Sequence, residues 1–286
     1  MDSKLSLRIM YDLFTFDNPN FEVNYNECEL VIINLNSVFS TTFYEPMIEE
    51  FMMSDDTMGD YVDSVGEMFK KALMHFSSQR ILLIYSDKVS NLTEIYEDWR
   101  KSRYKNKSMN EFAKVIFNHF IDVFNQIEDV NPTVDIINTE EFDPAIFTHS
   151  FIRLRDYNKK IFLISRDRLD FLNIENENVL MFDGQEFYTE KNFREHECKK
   201  LPEIHIQFLK YYYRLRGIKK YDYPGVRGFG PKRTFGYMEN NISNLVDGYD
   251  KYNDEELRLF DFDKFIDGLS SEQLDKLLEI VNKSKF

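Results

Sequence analysis

Cysteine is nearly missing from this chain: Cys28 and Cys198 are the only two in 286 residues. They provide neither a disulfide framework nor the paired spacing of a zinc site, so a reducing, intracellular compartment is expected. Long apolar runs are missing too, and none approaches the roughly 20 residues that span a bilayer. The N-terminal "MDSKLSLRIMYDLF" mixes acids with bases and has no long apolar core, which excludes a signal-peptide reading. The five histidines (His75, His119, His149, His196, His205) fall at no metal-ligand spacing, and His119 and His149 read as ordinary helix residues. There is no Walker loop, no nucleophile elbow and no Gly-rich dinucleotide turn after a strand. Internal repeats and low-complexity linkers are absent. Trp99, the single tryptophan, reads as a packing residue, with base stacking as the alternative.

What is present is core material. Hydrophobic residues make up 43% and aromatics 16%, which excludes a wholly disordered chain. The abundance of Phe, Tyr, Ile, Asn and Lys points to AT-rich coding, as in a viral or phage genome. The net charge of −14 argues against nucleic acid until its distribution is read. From Lys199 to Arg233 there are ten Lys or Arg against two acids, Glu203 and Asp222. "WRKSRYKNK", Trp99 to Lys107, has five cations and no acid, whereas Glu45 to Asp63 has seven acids and no Lys or Arg. Such asymmetry suits a phosphate-binding face on an acidic body; the plainer alternative is a set of solvated faces.

Apolar runs and helical periods alternate. Strands are expected within Glu29–Phe39, Arg80–Ser86, Thr133–Thr139, Lys160–Asp167 and Asn178–Gly184. Helical patterns fall between them, at about Met58–Phe76, across residues 88–130 and at Asp143–Arg155, where Asp143 is the expected N-cap and Pro144 the first helical residue. This order predicts an α/β fold with a parallel sheet covered on both faces. Beyond about Lys199 the pattern is helical: Leu201–Arg216, Pro231 to about Leu245, and a last helix from Ser271 to about Ser284. Residues 1–198 therefore read as an α/β domain with a helical insertion at about 88–130, and residues 199–286 as a helical part.

Three of the ten glycines fall within six residues of "YPGVRGFGPKR", at Gly225, Gly228 and Gly230. They permit positive φ and leave amides uncovered just before a helix N-terminus, where an anion is favoured. Lys232 and Arg233 in that first turn oppose the helix dipole unless a phosphate sits there. A simple glycine-rich connector is the alternative.

"PGVRGFGPKR" resembles the "PGVxGxGxKT" element of the 5′-nuclease family, which includes flap endonucleases, polymerase 5′-nuclease domains and the T-even phage RNase H. Other stretches follow in the family's order. "VIINLNSVF" (Val31–Phe39) is similar to the first strand, "YEDWRKSRYKNK" (Tyr96–Lys107) to the lead into the helical arch, and "EEFDPAIFTHSF" (Glu140–Phe151) to "EADDxIAxLA". "IFLISRDRLDFL" (Ile161–Leu172) resembles "VxIxSGDKDLLQL", "GIKKYDYPGV" (Gly217–Val226) matches "GDSSDNIPGV" in length, and "ELRLFDFDKF" (Glu256–Phe265) resembles a C-terminal T-even element.

The resemblance implies a PIN-like parallel sheet with a helical arch-like insertion and a helix-hairpin-helix-like element that grips duplex backbone. It also implies a carboxylate cluster holding Mg²⁺ or Mn²⁺ for phosphodiester cleavage. Here the pattern departs. The first-strand Asp is Asn34, and the acid closing the second strand falls at Tyr85 or Ser86, with Asp87 close by. Pro144 takes the last position of the "EADD" group. Leu169 takes the second of the "DxD" pair, with Asp170 adjacent. Ile218 and Tyr221 replace the two acids of "GDSSDN". Glu141, Asp143 and Asp167 remain as candidate metal or catalytic residues. The expected nucleic-acid contacts are Gly225, Val226, Gly228, Gly230, Lys232 and Arg233, with Arg100, Arg103, Lys105 and Lys107.

The leading expectation is a DNA- or RNA–DNA-duplex-binding protein with lost or severely reduced nuclease activity, read without base contacts and acting near 5′ ends or branches. No cofactor is firmly expected, although Mg²⁺ or Mn²⁺ would accompany residual activity. The alternatives are an active Mg²⁺-dependent 5′–3′ exonuclease, flap endonuclease or RNase H in phage or viral DNA replication, and an interaction subunit docking through the acidic segment 45–63. A cytoplasmic location is expected, in a host cell for a phage or viral protein.

Overall fold

The computed structural model describes residues 27–39, 79–88, 90–100, 117–119, 121–128, 131–155, 158–184, 186–190, 208–246 and 255–286, with single positions at 63, 66, 67, 70, 73 and 76. Expectations for Arg103, Lys105, Lys107 and the acidic segment 45–63 lie outside them, except Asp63.

The apolar runs form a six-stranded sheet. Its strands are β1 (Leu30–Asn34), β2 (Arg80–Tyr85), β3 (Val134–Asn138), β4 (Ile161–Ile164), β5 (Val179–Phe182) and β6 (Phe187–Tyr188), in the order β3-β2-β1-β4-β5-β6. All pairs are parallel except β5 with β6. Leu30 sits opposite Arg80 on one side and Ile161 on the other. Every residue of β1, β4 and β5 is buried, as strands covered on both faces require. Leu30, Ile32, Leu82, Ile84, Ile161 and Leu163 join one core with Phe147 and Phe151 of α3 and Leu277, Ile280 and Val281 of α7 (both defined below). On the other face Phe162 packs against Phe76, with ring centres 5.8 Å apart.

The helices begin where local chemistry directs. α1 (Leu35–Phe39) follows β1 without a gap, and α2 (Leu92–Ile95) is a single turn. α3 (Pro144–Leu154) starts as expected: the Asp143 side chain accepts from Ala145 N, and Pro144 follows. A 3₁₀ segment, Leu169–Glu175, links β4 to β5 and was not expected as a separate element. α4 (Leu209–Arg216) and α5 (Pro231–Val246) flank the glycine stretch, and α5 kinks at Asn241. α6 (Phe262–Asp267) precedes α7 (Ser271–Lys283), which starts at the expected residue and is capped by Ser270 in a capping box with Gln273. α7 is tied back to the sheet domain. Arg155 donates to the carbonyls of Val281 and Ser284, both at 3.0 Å, and Lys285 N donates to Asp135 at 2.7 Å. Among the described residues no helix is long and apolar enough to cross a membrane.

Candidate functional site

In this strand order the chain leaves β1 in one direction and β4 in the other. The carboxyl ends of β1 and β4 therefore form the topological switch point, where open α/β sheets place their ligands. Asn34 ends β1, and Ser165, Asp167 and Asp170 follow β4. Asp143 reaches the same place from the start of α3, and Arg100 and Tyr221 close over it.

Asp170 is fully buried. Its Oδ2 accepts from Asn34 Nδ2 at 2.8 Å and from the Ser165 hydroxyl, and its Oδ1 accepts from Asn173 Nδ2 at 3.3 Å. Burial, followed by the charge of Asp167, pushes its carboxyl up to about 8, so it is largely protonated at neutral pH. Asn34 is committed as well, since its Oδ1 accepts from Ser37 N at 3.1 Å. The Ser37 and Ser165 hydroxyls lie 2.9 Å apart, and Ser165 Oγ accepts from Asp167 N at 3.0 Å.

Asp167 accepts on both oxygens. Leu169 N (2.9 Å) and the Tyr221 hydroxyl donate to Oδ1, and Arg100 donates to Oδ2 at 2.8 Å. Burial and the neighbouring Asp167 hold the Tyr221 phenol well above its ordinary value, so it stays protonated and donates. Its oxygen accepts in turn from Arg168 N at 2.7 Å. The same guanidinium nitrogen that meets Asp167 lies 3.2 Å from Asp143 Oδ2. Arg100 is 5% exposed, its guanidinium lies 4.4 Å from the centre of the Tyr221 ring, and its backbone N donates to Tyr221 O at 2.7 Å. The ring of Trp99 packs on Tyr221 at 5.1 Å and on Phe260 at 6.1 Å, as a packing residue.

Arg100 thus departs from the expectation that it faces a nucleic-acid phosphate. Two buried carboxylates and an aromatic face draw it inward, and its neighbours in the basic run fall outside the described residues. The Glu141 carboxylate accepts from Lys276 of α7 at 2.6 Å, whereas Asp143 and Asp167 meet on Arg100. Asp87 is exposed and accepts from Asn138 at 3.2 Å. Among the described residues no group of three or more His, Cys, Asp or Glu is placed to hold a metal ion. The sequence signalled Asp143 and Asp167 through their motifs. It gave no signal that separates Arg100 from its basic neighbours.

The glycine stretch forms a compact hairpin between α4 and α5. Val226 N donates to Leu215 O at 2.9 Å, and Ile218 pairs with Tyr223. Gly225 has φ +67, and a Cβ there would sit 2.4 Å from Gly217 N, so the backbone crossing itself requires glycine. Gly228 has φ +85, with Arg233 close to the space a Cβ would take. Around Gly230 no atom lies within 4 Å of that space. Phe208, Leu215, Phe229 and Met238 form the hairpin's small core, and Val226 packs against it. The basic run divides here. Lys210 pairs with Asp261 at 2.8 Å and Arg214 with Glu256 at 3.5 Å, while Arg216, Lys219, Arg227, Lys232 and Arg233 are exposed.

No protein-family model matches the sequence, and no curated protein matches it. Solved structures do. A bacteriophage T5 protein co-crystallised with metal ions is similar over 88% of this chain and 97% of its own, with TM-score 0.62 and 16% identity. A pseudo-enzyme–product complex of the bacteriophage T5 flap endonuclease with DNA and metal ions matches over 89% and 99%, with TM-score 0.61 and 17% identity. T5 5′-exonuclease with bound zinc matches over 88% and 99%, with TM-score 0.61 and 16% identity. The likeness is one of fold: this chain has the fold of the 5′-nuclease family.

Proposed function

We propose that this chain, which has the 5′-nuclease fold, grips duplex backbone near 5′ ends or branches and does not cut it. The observation that carries the reading is the Arg100 guanidinium between Asp143 and Asp167. Cleavage in this fold would call for divalent ions held by hard oxygen ligands. The residues present do not fit such ions. The two carboxylates are spent on a cation from the chain, Asn34 is spent on Asp170 and Ser37, and Tyr221 supplies a donor where a ligand is needed. Ile218, at another expected acid position, is buried and apolar.

Binding rests on the helical part, residues 199–286, and on the hairpin. Gly225 and Val226 shape the turn, Gly228 lies under the Arg233 guanidinium, Gly230 leaves backbone open beside the α5 N-terminus, and Lys232 and Arg233 are exposed in its first turn. Lys232 and Arg233 oppose the helix dipole, a cost that a bound phosphate offsets. Contacts of this kind position a backbone and carry no base readout. The T5 flap endonuclease complex with DNA supports a nucleic-acid partner for this fold.

The test is fluorescence anisotropy with a 5′-flap duplex across a salt series. Lys232→Ala combined with Arg233→Ala is expected to weaken binding and to lower the slope of log K against log salt by about one unit per lost phosphate contact. A natural protein with no duplex affinity, or a double variant with unchanged affinity and slope, overturns the reading.

A further inference from the structure

Arg100 and Arg214 are the two buried cations among the described residues, and of the two Arg100 meets a pair of buried carboxylates. It is 5% exposed in a cleft with three buried carboxyl groups, two of which it bridges with a single nitrogen. Its φ is +55, in the left-handed region that arginine rarely adopts. Such a conformation persists only where the surroundings over-determine it. Here they do, through the Tyr221 carbonyl on its backbone N, the Tyr221 ring under its guanidinium and the two aspartates at its tip.

The oxygens follow one plan. Asp143 Oδ1 accepts from Ala145 N and Asp167 Oδ1 from Leu169 N, so each carboxylate has one oxygen fixed by its own turn. The remaining oxygen of each, Oδ2, meets the same Arg100 nitrogen, at 3.2 and 2.8 Å. Two carboxylate oxygens brought this close in a buried cleft repel each other unless a cation or a proton neutralises them, and here the guanidinium does so.

We infer that Arg100 is a resident cation that takes the bridging position of a divalent ion and keeps such ions out of the cleft. The site beneath it is therefore latent: the chain retains two aspartates arranged around a cation and fills the place from within. This rests on the proposed function only for its premise that no divalent ion occupies the cleft, and it makes no claim about duplex binding.

Mn²⁺ is the probe, followed by paramagnetic resonance and by melting temperature, with the full-length chain. The natural protein is expected to show no Mn²⁺ site that depends on Asp143, and no rise in melting temperature with millimolar Mn²⁺. Arg100→Ala is expected to melt lower in chelator, to regain stability as Mn²⁺ is added, and to bind the ion at least roughly tenfold more tightly than the natural protein does. Adding Asp143→Asn to that variant should remove both the binding and the rescue. If Arg100→Ala is insoluble when metal-free, recovery of folded protein by Mn²⁺ during refolding supports the inference, and failure to fold at any Mn²⁺ concentration counts against it. Equal Mn²⁺ affinity in the natural protein and Arg100→Ala, or a variant that folds without gaining a site, overturns it. A protein that passes this test and binds no duplex leaves the inference standing and removes the proposed function. One that binds duplex while Arg100→Ala gains no Mn²⁺ site does the reverse.

Discussion

Asp170 carries a cost that changes with pH. Its carboxyl is raised from 3.8 to about 8, chiefly by burial and then by the charge of Asp167. A carboxyl raised in the fold gives stability that is fully present below its unfolded value and is lost as pH rises through the folded one. His149 acts in the opposite direction. It is half-buried on α3, with Nδ1 3.0 Å from Asn173 Oδ1, and desolvation lowers it to about 4. Its stability is present above 6.5 and is lost as pH falls toward 4, so below 6.5 the two groups oppose each other. Between 6.5 and 8, Asp170 acts alone among the described residues with a clear shift. Stability should fall there as pH rises, by on the order of 1–2 kcal/mol for one proton bound in the fold. Urea unfolding at a series of pH values checks this, and Asp170→Asn should flatten the slope even if it lowers stability overall. A flat profile in the natural protein would show that Asp170 is charged in the fold.

At the level of elements, what the sequence made legible was local. The Asp143–Pro144 start of α3 rests on capping chemistry that spans a few residues, and it stands as expected. β1, β4 and β5 read as apolar runs because both of their faces are covered, and β2 and β3 keep enough of that run to be legible although their ends are less buried. β6 did not, because a two-residue strand has no period and its pairing with β5 is not local. The fate of Arg100 was likewise hidden, since its partners Asp143, Asp167 and Tyr221 lie far along the chain. In the glycine hairpin, crowding was legible and the division of labour was not. Gly225 answers a backbone crossing, and Gly230 answers nothing inside the protein. Gly225→Ala should therefore cost about 2–4 kcal/mol in denaturant unfolding, because its Cβ meets backbone that cannot move aside. Gly230→Val should stay within about 1 kcal/mol of the natural stability and weaken duplex binding, since its side chain projects into the space proposed for the phosphate. Unchanged affinity in a folded Gly230→Val protein would return the stretch to the role of a connector.

The molecule as a whole is an acidic chain of the 5′-nuclease fold that presents exposed cations around one hairpin and holds a cation of its own in the cleft. The fold matches structures that hold metal and, in one case, DNA. At the switch point Asn34, Tyr221 and Arg100 interlock with Asp143, Asp167 and Asp170. On the proposed reading Asn34→Asp alone should yield no cleavage, since Arg100 and Tyr221 still occupy the Asp143 and Asp167 oxygens. Loss of one group that stabilises transition-state charge costs a factor on the order of a hundred to a thousand, and here several expected groups differ. The most direct measurement incubates end-labelled 5′-flap duplex and RNA–DNA hybrid with stoichiometric protein and Mg²⁺, at concentrations where anisotropy shows the substrate bound. The account predicts that the bound substrate remains intact. Mg²⁺-dependent cleavage by the natural chain, lost when Asp143→Ala is combined with Asp167→Ala, would contradict it.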